Sequence, residues 1–197
     1  MSSQGRLAVI SGPSGSGKTT ICRALLEDER VVLSVSATTR KKRPMETEGV
    51  DYFFLSPEDF AQRVERGEFL EWAEYNGNRY GTLRSEVGRK LGQGKTVILE
   101  IEVQGTRKLR DAGIEASFVF IMPPGLEELE RRLRARKTED EETIQRRLAI
   151  ASEEMNMAHL YDHVVINREL DRAVRELRIY LGLESGELET QGSGEDD

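Results

Sequence analysis

The sequence predicts an α/β fold with a mainly parallel sheet covered by helices on both faces. Three observations carry this reading. Short apolar runs of strand length alternate with longer amphipathic runs, the pattern of strands buried between crossover helices. A glycine-rich loop of the form G-x-x-x-x-G-K-[ST] joins the first apolar run to the first helical one. Between residues 36 and 92 the alternation gives way to shorter strand and hairpin patterns, which marks a small mixed α/β insertion.

LAVIS, Leu7–Ser11, is an apolar run bounded by glycines and reads as a buried strand. KTTICRALLE follows it as a helix. Further strands are expected at Val31–Val35, Thr96–Glu102, Ala116–Met122 and His163–Asn167. Helices are expected over Thr106–Ala112, Leu126–Ala135, Glu141–His159 and Asp171–Leu181. Within the insertion DYFFL suggests a strand, and SPEDFAQRVERG a helix with Ser56 as N-cap and Pro57 at its first position. FLEWAEYNGNRYGT suggests two strands around Asn76-Gly77-Asn78.

The 197 residues suffice for one domain with inserted segments. No apolar run approaches the ~18 residues that a bilayer span requires. The first residues, MSSQGRLAVISG, lack the charged and apolar regions of a secretory signal. The single cysteine, Cys22, has no internal disulfide partner and suits a reducing cytoplasm; its place in an apolar helical run reads as a small buried hydrophobe. His159 and His163 show no metal-ligand spacing and read as structural. The formal net charge is -7, and the six acids between Glu184 and Asp197 account for all but -1 of it. A nearly neutral body argues against broad nucleic-acid or membrane binding. The polar, acidic tail is expected to be disordered.

GPSGSGKT, Gly12 to Thr19, is the best-specified feature. Gly12, Gly15 and Gly17, with Pro13, Ser14 and Ser16 between them, let the backbone curl so that successive N–H groups point at phosphate oxygens. The helix opening through Lys18, Thr19 and Thr20 adds the positive end of its dipole. Lys18 can bridge β- and γ-phosphates, and the Thr19 hydroxyl can ligate Mg²⁺. Glu100, ending an apolar strand, suits the Mg²⁺ shell through water, although a strand-end acid alone is equally a plain surface residue. The motif implies a nucleoside triphosphate such as ATP and leaves the acceptor open.

Arg40, Lys41, Lys42 and Arg43 stand in four consecutive positions. Taken alone they are compatible with a solvated loop. Against a neutral background they suit a small, highly charged ligand. If Arg40 and Arg43 hold a second phosphate group, the acceptor is itself a phosphate ester, and Tyr52 and Tyr80 can offer O–H groups to its oxygens. Packing is the ordinary alternative for both tyrosines.

ISGPSGSGKTT, SVSATTRKKRPMETEGVDYFF, FLEWAEYNGNRYGT, ILEIEVQG and RRLRARKTEDEETIQRRL, in this order, resemble the guanylate kinase family. The resemblance runs from about Leu7 to Leu181. It implies a P-loop core (1–35, 93–126 and 158–184), a GMP-binding insertion (36–92) and a helical lid (127–157), followed by the acidic tail (185–197). It implies that Arg40, Arg43, Tyr52 and Tyr80 meet the GMP phosphate, and that Ser36, Glu71 and Thr82 meet guanine. It places Arg132, Arg136 and Arg147 on the triphosphate and the transferring phosphoryl group. The expected reaction is reversible: Mg·ATP with GMP or dGMP gives ADP and GDP or dGDP.

Residue chemistry agrees with the resemblance at Glu71. Guanine shows adjacent donors, N1–H and the N2 amino group, which one carboxylate can accept together. Without the family, Glu71 reads equally as an exposed strand acid, and the lid arginines as an ion-paired helix surface behind Glu127, Glu128 and Glu130. Trp72 reads as packing. Lys137 stands where many relatives have glycine, and Glu100 and Glu102 where aspartate is common. A catalytically silent peptide-binding scaffold would be expected to have a degraded P-loop, whereas Lys18 and Thr19 are intact. A kinase for a sugar phosphate is disfavoured by Glu71 with Ser36 and Thr82.

Overall fold

The computed structural model describes residues 5–75, 77–135 and 140–188, and the statements below concern these residues. In chain order the elements are β1 (Arg6–Ser11), α1 (Lys18–Leu25), β2 (Val31–Leu33), β3 (Ser36–Thr38), β4 (Phe53–Phe54), α2 (Pro57–Glu65), β5 (Phe69–Tyr75) and β6 (Asn78–Leu83). They continue as α3 (Arg84–Gly92), β7 (Thr96–Glu100), α4 (Val103–Asp111), β8 (Ser117–Met122), α5 (Leu126–Ala135) and α6 (Glu141–Asn156). A 3₁₀ turn at Ala158–Leu160, β9 (His163–Ile166) and α7 (Leu170–Tyr180) complete the described chain.

The main sheet is parallel, ordered β2-β7-β1-β8-β9. Its strands are apolar on both faces because helices cover both. Ala8 and Ile10 of β1 pack with Ile21, Leu25, Ala173 and Leu177 of α1 and α7. Leu7 and Val9 pack on the other side with Val87, Val103 and Leu109 of α3 and α4. The loop after β1 therefore opens at the carboxyl edge of the central strand, where open α/β sheets bind ligands. The register pairs Ile10 with Glu100, so the last residue of β7 lies beside that loop.

A second, mixed sheet is ordered β4-β3-β6-β5. Ala37, Phe60, Phe69 and Leu83 form its own small core, with Trp72 packed against it as expected. Ser56 accepts a hydrogen bond from Asp59 N at 3.0 Å, so α2 begins with the cap read from the sequence. No helix is long and apolar enough to cross a membrane.

Besides shorter ends, with β7 stopping at Glu100 rather than Glu102 and α6 at Asn156 rather than His159, the structure differs from the expected elements in three places. The strand expected over Val31–Val35 ends at Leu33, and Ser36–Thr38 is a separate strand of the second sheet. α3 carries two glycines and few apolar residues, so its periodicity is faint; it forms because Val87 and Leu91 pack against the main sheet. Residues 84–92, grouped with the insertion in the sequence reading, thus pack with the core. α4 begins at Val103, three residues earlier than expected, because Val103 is buried in the main core. The tail beyond Leu188 lies outside the described residues.

Candidate active site

Gly12, Gly15 and Gly17 take φ values of 140°, 88° and 96°, backbone that side-chain-bearing residues rarely adopt. Any Cβ at Gly12 would collide with the Ile121 carbonyl of β8, and one at Gly17 with the Asn167 amide. That amide donates to Ser16 O at 2.7 Å and fixes the loop from the end of β9. Lys18 is buried, its ammonium folded back onto Gly12 O and onto Pro13 O at 3.0 Å. Thr19 donates its hydroxyl to Glu100 Oε1 at 2.6 Å. The two oxygen-bearing side chains expected to share one ion are therefore already adjacent.

Two of the arginines expected in a lid reach this loop. Arg132 donates to Asn167 O at 2.9 Å and to Ser16 O at 3.4 Å, while its Nε pairs with Glu128 at 2.7 Å. The ion-paired surface and the loop contact, set against each other in the sequence, coexist in one side chain. Arg147 of α6 donates to Ser14 Oγ at 3.3 Å. Arg136 lies outside the described residues, as does Lys137.

Beside Glu100 opens a cleft of about 310 Å³, lined by the second sheet on one side and by Ile101, Glu102 and Gly105 on the other. Strand register builds its sheet wall. Ser36 pairs with Thr82 across β3 and β6, and Thr82 with Glu71 across β6 and β5, so three polar side chains share one row. The β5–β6 register shifts between Phe69 and Glu71. In a regular strand these two, being two apart, would face the same way. The bulge at Leu70 lets Phe69 fill the small core while Glu71 turns into the cleft, a usual role for a bulge beside a functional site. Leu70 itself packs against the main core.

Glu71 is only 8% exposed and accepts the Thr82 hydroxyl at 2.8 Å. Burial raises its pKa above the ordinary carboxylate value; the Thr82 hydrogen bond and the Lys108 charge act in the opposite direction. Lys108 of α4 donates to Trp72 O and lies over the Trp72 ring, 5.2 Å from its centroid. Gly105 stands against the carboxylate, where a Cβ would come within 3.1 Å of Glu71 Oε2.

Tyr52 and Tyr80 also line the cleft, and their rings meet edge-on at 6.1 Å. The Arg40 guanidinium lies 5.4 Å from the Tyr52 centroid and forms a bidentate ion pair with Glu46, at 2.6 and 3.1 Å. Arg43 is exposed, and its backbone N–H donates to Glu46 Oε2 at 2.8 Å. Ser36, Tyr52, Glu71 and Tyr80 thus line one cleft, with Thr82 bonded to Glu71 and Arg40 beside Tyr52, while Arg43 is exposed.

Sequence reasoning missed several residues here. Glu46 is an acid closely following a cationic run, a signal that was legible. Asn167 is a polar residue ending an apolar strand. Gly105 and Lys108 carried no signal, because their partner Glu71 is distant in sequence. Glu154 of α6 is half-buried, and burial lifts its pKa to about 7; the Glu102 charge adds to this and Lys18 opposes it. Cys22 is buried, as expected, and His163 pairs with Glu176 at 2.9 Å in a packing role. No cluster of three or more His, Cys, Asp or Glu suited to a metal occurs among the described residues.

A parallel sheet with a P-loop at the carboxyl edge of its central strand, beside a cleft lined by a second sheet, defines a P-loop kinase fold. Comparisons with known proteins agree. The model of the family described as Guanylate kinase matches residues 4–184. The chain is 51% identical over 181 residues to a guanylate kinase of Prochlorococcus marinus, covering 91% of this chain and 96% of that protein. It is 47% identical over 191 residues to a guanylate kinase of Symbiobacterium thermophilum, covering 96% and 90%. The crystal structure of guanylate kinase from Anaplasma phagocytophilum superposes with a TM-score of 0.71 at 32% identity, covering 97% of this chain and 89% of that one. The chain belongs to the guanylate kinase family. It is accordingly an enzyme, a transferase of the kinase class.

Proposed function

We propose that the protein transfers the γ-phosphoryl group of ATP to GMP, or to dGMP, giving ADP and GDP, or dGDP, reversibly in the cytoplasm. The observation that carries this reading is Glu71: a buried carboxylate at the end of the cleft, held by Thr82, with an acceptor edge suited to guanine N1–H and N2. Ser36 and Thr82 would read the remaining guanine edge, and Arg40, Arg43, Tyr52 and Tyr80 the monophosphate. Gly12 to Thr20 would cradle the triphosphate.

The residues present fit Mg²⁺, a hard cation that binds through a few protein oxygens, retained waters and substrate phosphates. The Thr19 hydroxyl, 2.6 Å from Glu100, would ligate it directly and Glu100 through water. Bound there, the ion would offset charge on the β- and γ-phosphate oxygens.

Catalysis then rests on alignment and charge. Lys18, whose ammonium now bonds loop carbonyls, would turn to the β- and γ-oxygens. Arg132 and Arg147 already touch the loop from the lid, and with Arg136 would offset charge on the transferring group. The acceptor phosphate is ionised at neutral pH, so no general base is needed. Closure of the insertion and of the α5–α6 segment would exclude water, which otherwise competes as acceptor.

The test is a coupled assay offering GMP, dGMP, AMP, UMP and CMP with Mg·ATP, alongside Lys18→Ala. GMP and dGMP should be turned over far faster than the others, and Lys18→Ala should abolish turnover with the fold intact. Preference for another nucleotide defeats the guanine reading. Near-normal turnover in Lys18→Ala defeats the donor-site assignment.

A further inference from the structure

The turn Arg43-Pro44-Met45-Glu46 is closed in both directions. Glu46 N donates to Arg43 O at 3.1 Å, and Arg43 N donates back to Glu46 Oε2 at 2.8 Å. Pro44 stands at the second position of this turn, where its fixed φ is pre-set for the reversal, and Met45 at the third is 93% exposed. The turn therefore delivers one particular side chain, that of Glu46, back to Arg40.

Arg40 is held by several partners at once. Its Nη1 donates to Lys41 O at 2.9 Å and to Glu46 Oε2 at 3.1 Å, and its Nη2 donates to Glu46 Oε1 at 2.6 Å. The Tyr52 and Phe54 rings lie 5.4 and 5.9 Å from its central carbon. The ion pair is largely shielded, with side-chain exposures of 17% and 15%, unlike the flexible surface pairs that contribute little. The Arg40 hydrogen bond, with the Arg43 N–H second, holds the Glu46 carboxyl below its ordinary range, so Glu46 stays ionised at neutral pH. Three of the five guanidinium hydrogens are thus used. The other two, on Nε and Nη2, form an adjacent edge that matches a second bidentate anion, and the Tyr80 hydroxyl interacts with the same guanidinium.

We propose that Glu46 is a positioning residue for the acceptor phosphate. It fixes the Arg40 guanidinium before substrate arrives and turns the Nε–Nη2 edge toward the space between Tyr52 and Tyr80. Arg43, whose side chain is exposed, adds charge at the rim and does not set the geometry. A fixed guanidinium spares the ordering cost that a mobile one would incur on binding. Glu46 touches no substrate itself. The inference rests on the GMP reading above and deepens it.

The experiment is a double-mutant cycle of Glu46→Ala and Arg40→Ala, with Glu46→Gln as the conservative variant. The readouts are kcat, KM for GMP and for ATP, equilibrium binding of GMP and guanosine, and Tm. Glu46→Ala should raise KM for GMP by about 10- to 50-fold, the range set by loss of a charge-assisted hydrogen bond. It should leave kcat within about threefold and KM for ATP and guanosine binding unchanged, as expected when only acceptor-phosphate binding is lost. Glu46→Gln keeps an acceptor for Arg43 N–H and should fall between Glu46→Ala and wild type. On the Arg40→Ala background, Glu46→Ala should cost almost nothing further, because its effect passes through Arg40. Additive losses would overturn the proposal, and so would equal weakening of guanosine and GMP, or a lowered Tm tracking the loss of activity. A fall in KM for GMP would make Glu46 a competitor for Arg40 and would overturn it too. Wild-type protein that turns over no GMP defeats the functional reading and this proposal together; wild-type activity with additive losses defeats this proposal alone.

Discussion

Thr82 donates its hydroxyl to Glu71 Oε1 at 2.8 Å across the β5–β6 pair, one residue beyond the bulge at Leu70. A carboxylate has about four lone-pair sites, and this bond uses one of them. Gly105 at the other oxygen keeps the wall thin. What remains faces the cleft as an acceptor edge.

Replacing Glu71 by glutamine puts an NH₂ donor against a guanine donor. The loss of at least one charged hydrogen bond should cost about 2–4 kcal/mol, or roughly 30- to 1000-fold in kcat/KM for GMP. Activity with AMP should hold or rise, since adenine offers a donor beside an acceptor. Because burial penalises the charged form of Glu71, the neutral variant should melt no lower than wild type. Steady-state kinetics with both nucleotides and a melting curve check this; an unchanged GMP/AMP ratio removes Glu71 from guanine recognition.

The pH dependence follows from the same burial. Glu71 accepts from guanine only when ionised, and its pKa is raised in the folded protein. As pH falls, kcat/KM for GMP should therefore decline from above the usual carboxylate range. The stability sign is opposite: a raised folded-state pKa means protonation of Glu71 favours the fold, so this loss is not unfolding at Glu71. In Glu71→Gln that part of the acid limb should vanish, while ionisation of the GMP phosphate remains in both profiles. Identical profiles for the two proteins would refute the assignment.

Gly105→Ala separates stability from activity. Alanine in a helix interior is favoured over glycine by about 1 kcal/mol, yet its Cβ would press on Glu71 Oε2 at 3.1 Å and on Ile101 at 3.3 Å. The variant should melt at or above the wild-type temperature while KM for GMP rises by about three- to tenfold, the effect of a carboxylate displaced by a few tenths of an ångström. A lower Tm with unchanged KM would show that α4 yields instead of Glu71.

Much of the fold was legible because its signals are local. The apolar runs of β1, β7, β8 and β9 are strands covered on both faces, and Ser56-Pro57 announces α2 within two residues. The P-loop was legible for the same reason, since Gly12, Gly15, Gly17 and Lys18 form one turn of contiguous chain. α3 was not legible: Val87 and Leu91 are too few to set a periodicity, and the sheet they cover supplies the energy that orders them. The Glu128 partner of Arg132 was legible four residues away, whereas its bond to Asn167 O, 35 residues away, was not.

The family resemblance implied Ser36, Glu71 and Thr82 as guanine contacts, while the sequence by itself determined the phosphate loop and the alternation of strand and helix. Each is encoded by neighbours in the chain, whose backbone preferences and periodicity need no distant partner to be read. Tertiary structure alone decided which way Glu71 points, because Phe69 must reach Phe60 and the intervening bulge reverses the pleat. It alone brought Gly105 and Lys108 behind that carboxylate, and Glu100 to Thr19 through the pairing of Ile10 with Glu100. These relationships depend on strand register and helix packing between segments tens of residues apart, and such contacts exist only once burial of the core has closed the intervening loops.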